Sequence, residues 1–112
     1  MLVKTNIDEF ENYLVDASNF KGICQAVYLP ENSDEIVSII KEANKNNIKV
    51  TVAGNRTGLT GACIPQNGIL IATDKLNRIL EINQKEFYAL VEPAVLLSDF
   101  QRELKEKNLF YP

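Results

Sequence analysis

The chain is 112 residues long, 46% hydrophobic and 24% charged, with 12 Lys and Arg against 15 Asp and Glu for a net charge of −3. That length holds one modest core, and the slight acidic excess argues against a nucleic-acid partner or an anionic membrane surface, both of which need clustered basic charge. Histidine is absent, so the commonest general base and metal ligand are missing, and difficult chemistry served by this chain has to come from a cofactor or from residues elsewhere.

The N-terminus, MLVKTNIDEFENYL, carries acids early and has no long apolar segment, unlike a signal peptide. No apolar run reaches the ~20 residues that span a bilayer. Cys24 and Cys63 make no metal-ligand spacing and are expected to be reduced thiols in a cytoplasmic protein.

In chain order, Ile7, Phe10 and Leu14 stand at i, i+3 and i+7 behind Asn6 or Asp8 as candidate caps, and they predict a short helix. QAVYLP, residues 25–30, is a brief apolar run stopped by Pro30 and predicts a strand. Asn32 followed by Glu35 has capping-box spacing. The helix it opens is expected to bury Ile36, Val37, Ile40 and Ala43, to expose Lys41, Glu42 and Lys45, and to end at Asn46-Asn47. IKVTVA, residues 48–53, predicts a second strand, which completes a strand–helix–strand unit of about the length of a parallel crossover.

GILIAT, residues 68–73, is apolar at consecutive positions and suits a strand covered on both faces. ILEI (79–82) and FYALVEP (87–93) flank the polar NQKE and predict an antiparallel hairpin. A last helix sets Leu97, Phe100 and Leu104 on one stripe, with Glu103 and Lys107 as an i, i+4 pair opposite and Asn108 as the left-handed closing residue. The chain then reaches LFYP with no polar tail, an odd place for a domain to finish.

Between the second and third strands lies TVAGNRTGLTGACIPQNG, which holds four of the five glycines. Gly54, Gly58 and Gly61 give the spacing G-x-x-x-G-x-x-G directly after a strand. Successive exposed N–H groups there would form a nest for an anion such as a diphosphate, and Thr57 and Thr60 add hydroxyls. A Walker loop is excluded, since no lysine lies between residues 50 and 74. A Rossmann loop must open a helix, whereas this one runs through Pro65 and Asn67-Gly68 into a strand. On spacing alone two readings stand: a long connection without a ligand, and a nest built from loop amides. Loop length tilts the balance toward binding.

The segments TGLTGACIP, GILIATDKLNRILEI and ALVEPAVLLSDFQRELKEKNLFYP, with VDASNFKG and AVYLPENSDEIVSIIKEAN before them, resemble the FAD-linked oxidases of the vanillyl-alcohol-oxidase/PCMH superfamily. The glycolate oxidase subunit and D-lactate dehydrogenase branch is the nearest in pattern. The resemblance implies an α/β fold of the α+β type, the first half of a PCMH-type FAD-binding domain over residues 1–112, with short parallel strands, helices and a β-hairpin. It implies FAD as the cofactor, held at the diphosphate by Gly54, Asn55, Arg56, Thr57, Gly58, Leu59, Thr60 and Gly61.

It further implies oxidation of a small 2-hydroxy acid, which gives its hydroxyl proton to a base and its α-hydride to flavin N5. The catalytic residues of that chemistry are expected outside residues 1–112, on a C-terminal half or a companion subunit, and no metal is expected. A rival from another class is a truncated, catalytically inactive binding or interaction module, exposing an apolar face and pairing as a homodimer. A third stays in the superfamily with another substrate class, such as a UDP-sugar reductase or aryl-alcohol oxidase. TGLTGA and LNRILEI favour the glycolate and lactate branch.

Arg56, Ala62 and Ala94 stand where that family usually carries glycine. For Arg56 three readings remain: a backbone at negative φ or slightly strained, a guanidinium that pairs with the diphosphate, or a side chain that points into water. Arg78 is expected at the surface, Cys63 as a small filler, and Tyr88 and Tyr111 as packing residues.

Overall fold

A computed structural model describes residues 1–112 and divides them into two compact units, Met1–Lys75 and Leu76–Pro112. In the first unit the elements are β1 (Leu2–Lys4), α1 (Ile7–Phe10), a 3-10 turn (Glu11–Leu14), β2 (Ala26–Leu29), α2 (Ser33–Lys45), β3 (Val50–Ala53) and β4 (Ile69–Ala72). The four strands make one sheet in the order β1-β2-β4-β3, with β1 antiparallel to β2 and β4 parallel to both its neighbours.

The strand–helix–strand segment is therefore not a pair of adjacent strands, because β4 inserts between β2 and β3. The side chains explain the order. All four residues of β4 are buried, whereas β3 leaves Val52 55% exposed and takes the edge. A strand without a polar residue gains most where both of its faces are covered. Alternate residues then supply two cores. Val27, Leu29, Leu70, Ala72 and Ala53 pack with Phe10, Tyr13 and Leu14. Ala26, Ile69 and Ile71 pack with Ile39 and Ala43 of α2.

The α2 helix opens as its spacing predicts. Asn32 Oδ1 accepts from the Glu35 amide at 2.9 Å, and Glu35 Oε2 accepts from the Glu31 amide at 2.7 Å. Its buried stripe differs from the expected one: Ile39 and Ala43 are inside, while Val37 and Ile40 are about half exposed at 48% and 47%. Ile39 and Ala43 lie four apart on one face, and it is this stripe that packs on Ala26, Ile69 and Ile71 of the sheet. The segment after Asn6 is also shorter as a helix than its periodicity suggests. Asn6 Oδ1 caps it from the Asp8 amide at 3.1 Å, but after one α-helical turn it tightens into the 3-10 turn, and Ile7 stays exposed.

In the second unit β5 (Ile79–Asn83) and β6 (Tyr88–Val91) form the antiparallel hairpin, irregular between Ile79 and Glu81, and α3 (Leu97–Glu106) follows. Asn83 Oδ1 holds the turn by accepting from the amides of Lys85 at 3.1 Å and Glu86 at 2.8 Å. On α3, Leu104 is buried and Phe100 half-buried, while Leu97 is 55% exposed. Asn108 takes φ +56° and closes the helix, as its position predicts. No helix in the chain is long and apolar enough to cross a membrane.

Candidate functional site

The glycine-rich loop leaves the end of β3 and returns through Gly68 to β4, wholly within the first unit. Its conformation departs from the glycine pattern in an informative way. Gly61 has φ +75°, but Gly54 and Gly58 do not adopt positive φ. A Cβ built on Gly54 would meet nothing within 4 Å, and one on Gly58 would meet only Asp16 Oδ2 at 3.9 Å. The chain itself therefore gives neither position a reason to be glycine. Space is left above the backbone, and from Asn55 to Thr60 no amide donates to another main-chain group. Thr57, Gly58, Leu59 and Thr60 are exposed, Leu59 to 75%.

Arg56 takes the strained backbone among its expected alternatives, while its side chain goes neither to water nor to a free position facing a ligand. Its φ is +56°, so the backbone keeps the left-handed turn that a glycine would make. Its side chain does not point into water, being only 19% exposed. Nη1 donates to Asp74 Oδ1 at 3.0 Å and Nη2 to Asp74 Oδ2 at 3.3 Å, a fork-on-fork pair. Nη1 also donates to the Gly54 carbonyl at 3.2 Å, and the guanidinium lies over the Tyr13 ring 4.4 Å from its centroid. What Arg56 leaves free for a ligand is its main-chain amide. Burial, and then the negative charge of Asp74, push the Tyr13 phenol above the usual tyrosine range.

At the other end of the loop sits Asp16. Its carboxylate accepts from the Ser18 hydroxyl, from the Ser18 amide at 2.7 Å and from the Cys63 thiol at 3.7 Å. The Ser18 hydroxyl contributes most to holding Asp16 below the usual carboxylate range, with the Gly61 amide helping. Burial and Asp16 push the Cys63 thiol up, so it is a poor thiolate. Cys24 and Cys63 are both free thiols. Two carboxylates thus flank one guanidinium around the loop, and an anion here would be held by N–H dipoles rather than by net side-chain charge.

None of Tyr13, Asp74 or Asp16 carries a sequence signal for this role; Arg56 and Asp74 meet across 18 residues. Ala62 is exposed and Ala94 is buried at 8%. In the second unit an open apolar groove of about 450 Å³ is lined by Phe87, Tyr88, Val91, Leu97, Phe100 and Tyr111. It brings together no acid–base pair. Tyr88 and Tyr111 are half-exposed there rather than packed inside.

A sequence profile of the FAD binding domain family matches residues 24–112. D-2-hydroxyglutarate dehydrogenase of Stutzerimonas stutzeri is 30% identical over 112 residues, spanning 98% of this chain and 24% of its own length. Glycolate oxidase subunit GlcD of Bacillus subtilis is 34% identical over 102 residues, 89% of this chain and 22% of that one. The crystal structure of p-cresol methylhydroxylase with substrate bound superposes with a TM-score of 0.81 at 22% identity, covering 96% of this chain and 22% of that one. The chain thus spans about a quarter of the length of these relatives. The open space over Gly54 and the free amides beside it leave room for a dinucleotide diphosphate. The chain belongs to the FAD binding domain family, with a PCMH-type fold, and its cofactor is FAD.

Proposed function

We propose that the backbone amides of Gly54, Asn55, Arg56, Thr57, Gly58, Leu59, Thr60 and Gly61 hold the FAD diphosphate in a flavin-dependent oxidoreductase acting on a 2-hydroxy acid such as glycolate or D-lactate. One observation carries the loop assignment: Gly54 and Gly58 are glycines without a reason inside the chain. A missing Cβ leaves room for a ligand to approach the main chain closely. Thr57 and Thr60 add hydroxyl donors at the exposed rim. The substrate class rests on the relatives, whose names specify D-2-hydroxyglutarate and glycolate.

When bound, FAD supplies the hydride-accepting centre; this chain's residues bind and orient its diphosphate. The relatives are roughly four times as long, so the base and the substrate pocket belong, on this proposal, to further polypeptide or to a companion subunit. A cytoplasmic location suits two cysteines held as free thiols.

The reading is tested with Gly54→Ala and Gly58→Ala in the isotope-labelled chain. Each is expected to fold as well as or slightly better than the wild type, by up to about 1 kcal/mol, because alanine restricts the unfolded chain. Each is also expected to weaken the ADP-induced shifts of the loop amides. Unchanged ADP binding in both variants would overturn the loop assignment.

A further inference from the structure

We infer that Arg56 is a positioning residue: gripped by Asp74 and Tyr13, its side chain fixes the left-handed turn that turns the amides of residues 55–60 toward a diphosphate. The inference rests on the loop assignment above and extends it to residues in other segments of the first unit.

A residue with a Cβ adopts φ +56° at a cost, because the Cβ crowds the neighbouring carbonyl oxygen. That conformation persists in a loop only where other contacts determine it. The contacts here come from three directions. Asp74 follows the end of β4, where Thr73 is tied to the Ala53 carbonyl by its amide at 3.0 Å and its hydroxyl at 3.2 Å. The carboxylate is therefore fixed to the sheet at the point where the loop departs. Tyr13, 8% exposed in the core beside Phe10 and Leu14, gives the guanidinium a rigid flat surface.

The bond from Nη1 to the Gly54 carbonyl then closes the turn on itself across two residues. The two-pronged pair with Asp74 uses the fork of a guanidinium, and its plane lies over Tyr13 at the same time; a single ammonium cannot make these contacts together. With its charge matched by Asp74, the side chain organises the site without occupying it. Amides ordered before the ligand arrives lose less freedom on binding it, which is how a supporting contact raises affinity.

The test uses the isotope-labelled chain and four variants: Arg56→Gly, Arg56→Lys, Asp74→Asn and the double variant Arg56→Gly/Asp74→Asn. Three quantities are read: heteronuclear NOEs of residues 55–60, the affinity for ADP from amide shifts, and the melting temperature. Glycine relieves the left-handed strain, so Arg56→Gly is expected to melt close to the wild type. Its loop amides nevertheless lose order, and ADP binds about tenfold more weakly, a difference of about 1.4 kcal/mol.

Arg56→Lys and Asp74→Asn are likewise expected to lose loop order and ADP affinity, Arg56→Lys with a lower melting temperature because its Cβ keeps the left-handed strain. The double variant is expected to be no worse than Arg56→Gly, since the pair acts as one unit. Loop amides as ordered in Arg56→Gly as in the wild type would overturn the inference. So would full rescue by lysine, or tighter ADP binding in Asp74→Asn, which would mean that the released charge meets the diphosphate directly. A loop that loses order in Arg56→Gly, in a chain that never shifts with ADP, supports the anchor and rejects the loop as the FAD site.

Discussion

Arg78 and Glu92 join the two ends of the hairpin by main chain and side chain together. The Glu92 amide donates to the Arg78 carbonyl at 2.9 Å, and the Arg78 amide donates to Glu92 Oε2 at 2.8 Å. Arg78 Nη2 and Nε then reach Glu92 Oε1 at 2.7 and 3.1 Å. Glu92 is 9% exposed, although its partner's side chain is largely in water. The Arg78 hydrogen bonds, side chain first and backbone second, hold the Glu92 carboxyl below the usual carboxylate range.

A folded-state pKa below the unfolded one means that the folded state prefers the ionised carboxylate. The contribution is complete above about pH 5 and is lost as the pH falls through the lowered value. Glu92→Gln is therefore expected to destabilise the hairpin at neutral pH and to flatten the acid limb. Urea midpoints measured from neutral pH down to the carboxylate range check this. An acid limb as steep as the wild type's would place the dependence on other carboxylates.

Tyr13 supplies the opposite limb. Its phenol is pushed up by burial and then by Asp74, so the folded state holds the proton more tightly than the unfolded chain. The corresponding stability is complete below the usual tyrosine range and is lost as the pH rises through the raised value. Ultraviolet difference titration should show Tyr13 ionising late. Asp74→Asn should bring it part of the way down, leaving the share due to burial.

Gly68 is a glycine that the fold itself demands. It has φ +71°, and a Cβ there would lie 2.1 Å from the Lys49 carbonyl oxygen, which accepts from the Ile69 amide at 2.9 Å. Gly68→Ala would push the start of β4 away from β3, and a loss of about 2 to 4 kcal/mol is expected. Denaturant unfolding measures it. The contrast with Gly54→Ala separates a glycine kept for the fold from one kept for a ligand.

Asn32→Ala removes the acceptor for the Glu35 amide and exposes a broken capping pair. A loss of about 1 kcal/mol is expected, with hydrogen exchange accelerated in the first turn of α2 and little changed in the hairpin.

The chain by itself should hold FAD weakly. The loop amides order one end of the cofactor, while the rest of a large ligand pays its ordering cost with few contacts. Gel filtration is expected to strip the flavin from the 112-residue chain. Stoichiometric retention would show that these residues contribute far more than the diphosphate cradle.

Much of the fold is readable before folding because its signals are local. The capping pair at Asn32 and Glu35, the turn residues around Asn83 and the left-handed Asn108 each act within a few positions of themselves. β1 escapes such a reading, since three residues give no periodicity and only pairing with β2 makes them a strand. The helix stripe that buries Ile39 in place of Val37 and Ile40 was set by which face the sheet covers, a fact external to the helix.

The sequence alone determined the type of every element except β1 and the 3-10 turn, the strand–loop–strand setting of the glycines, the exclusion of Walker and Rossmann loops, and the family. These follow from short-range chemistry and from motif order along the chain. Tertiary structure decided that β4 lies between β2 and β3, because burial on both faces is a property of the assembled sheet. It also decided the fate of Arg56. Whether a guanidinium faces water, a ligand or Asp74 depends on a carboxylate 18 residues away and on a ring in the core, brought to it only when the sheet closes.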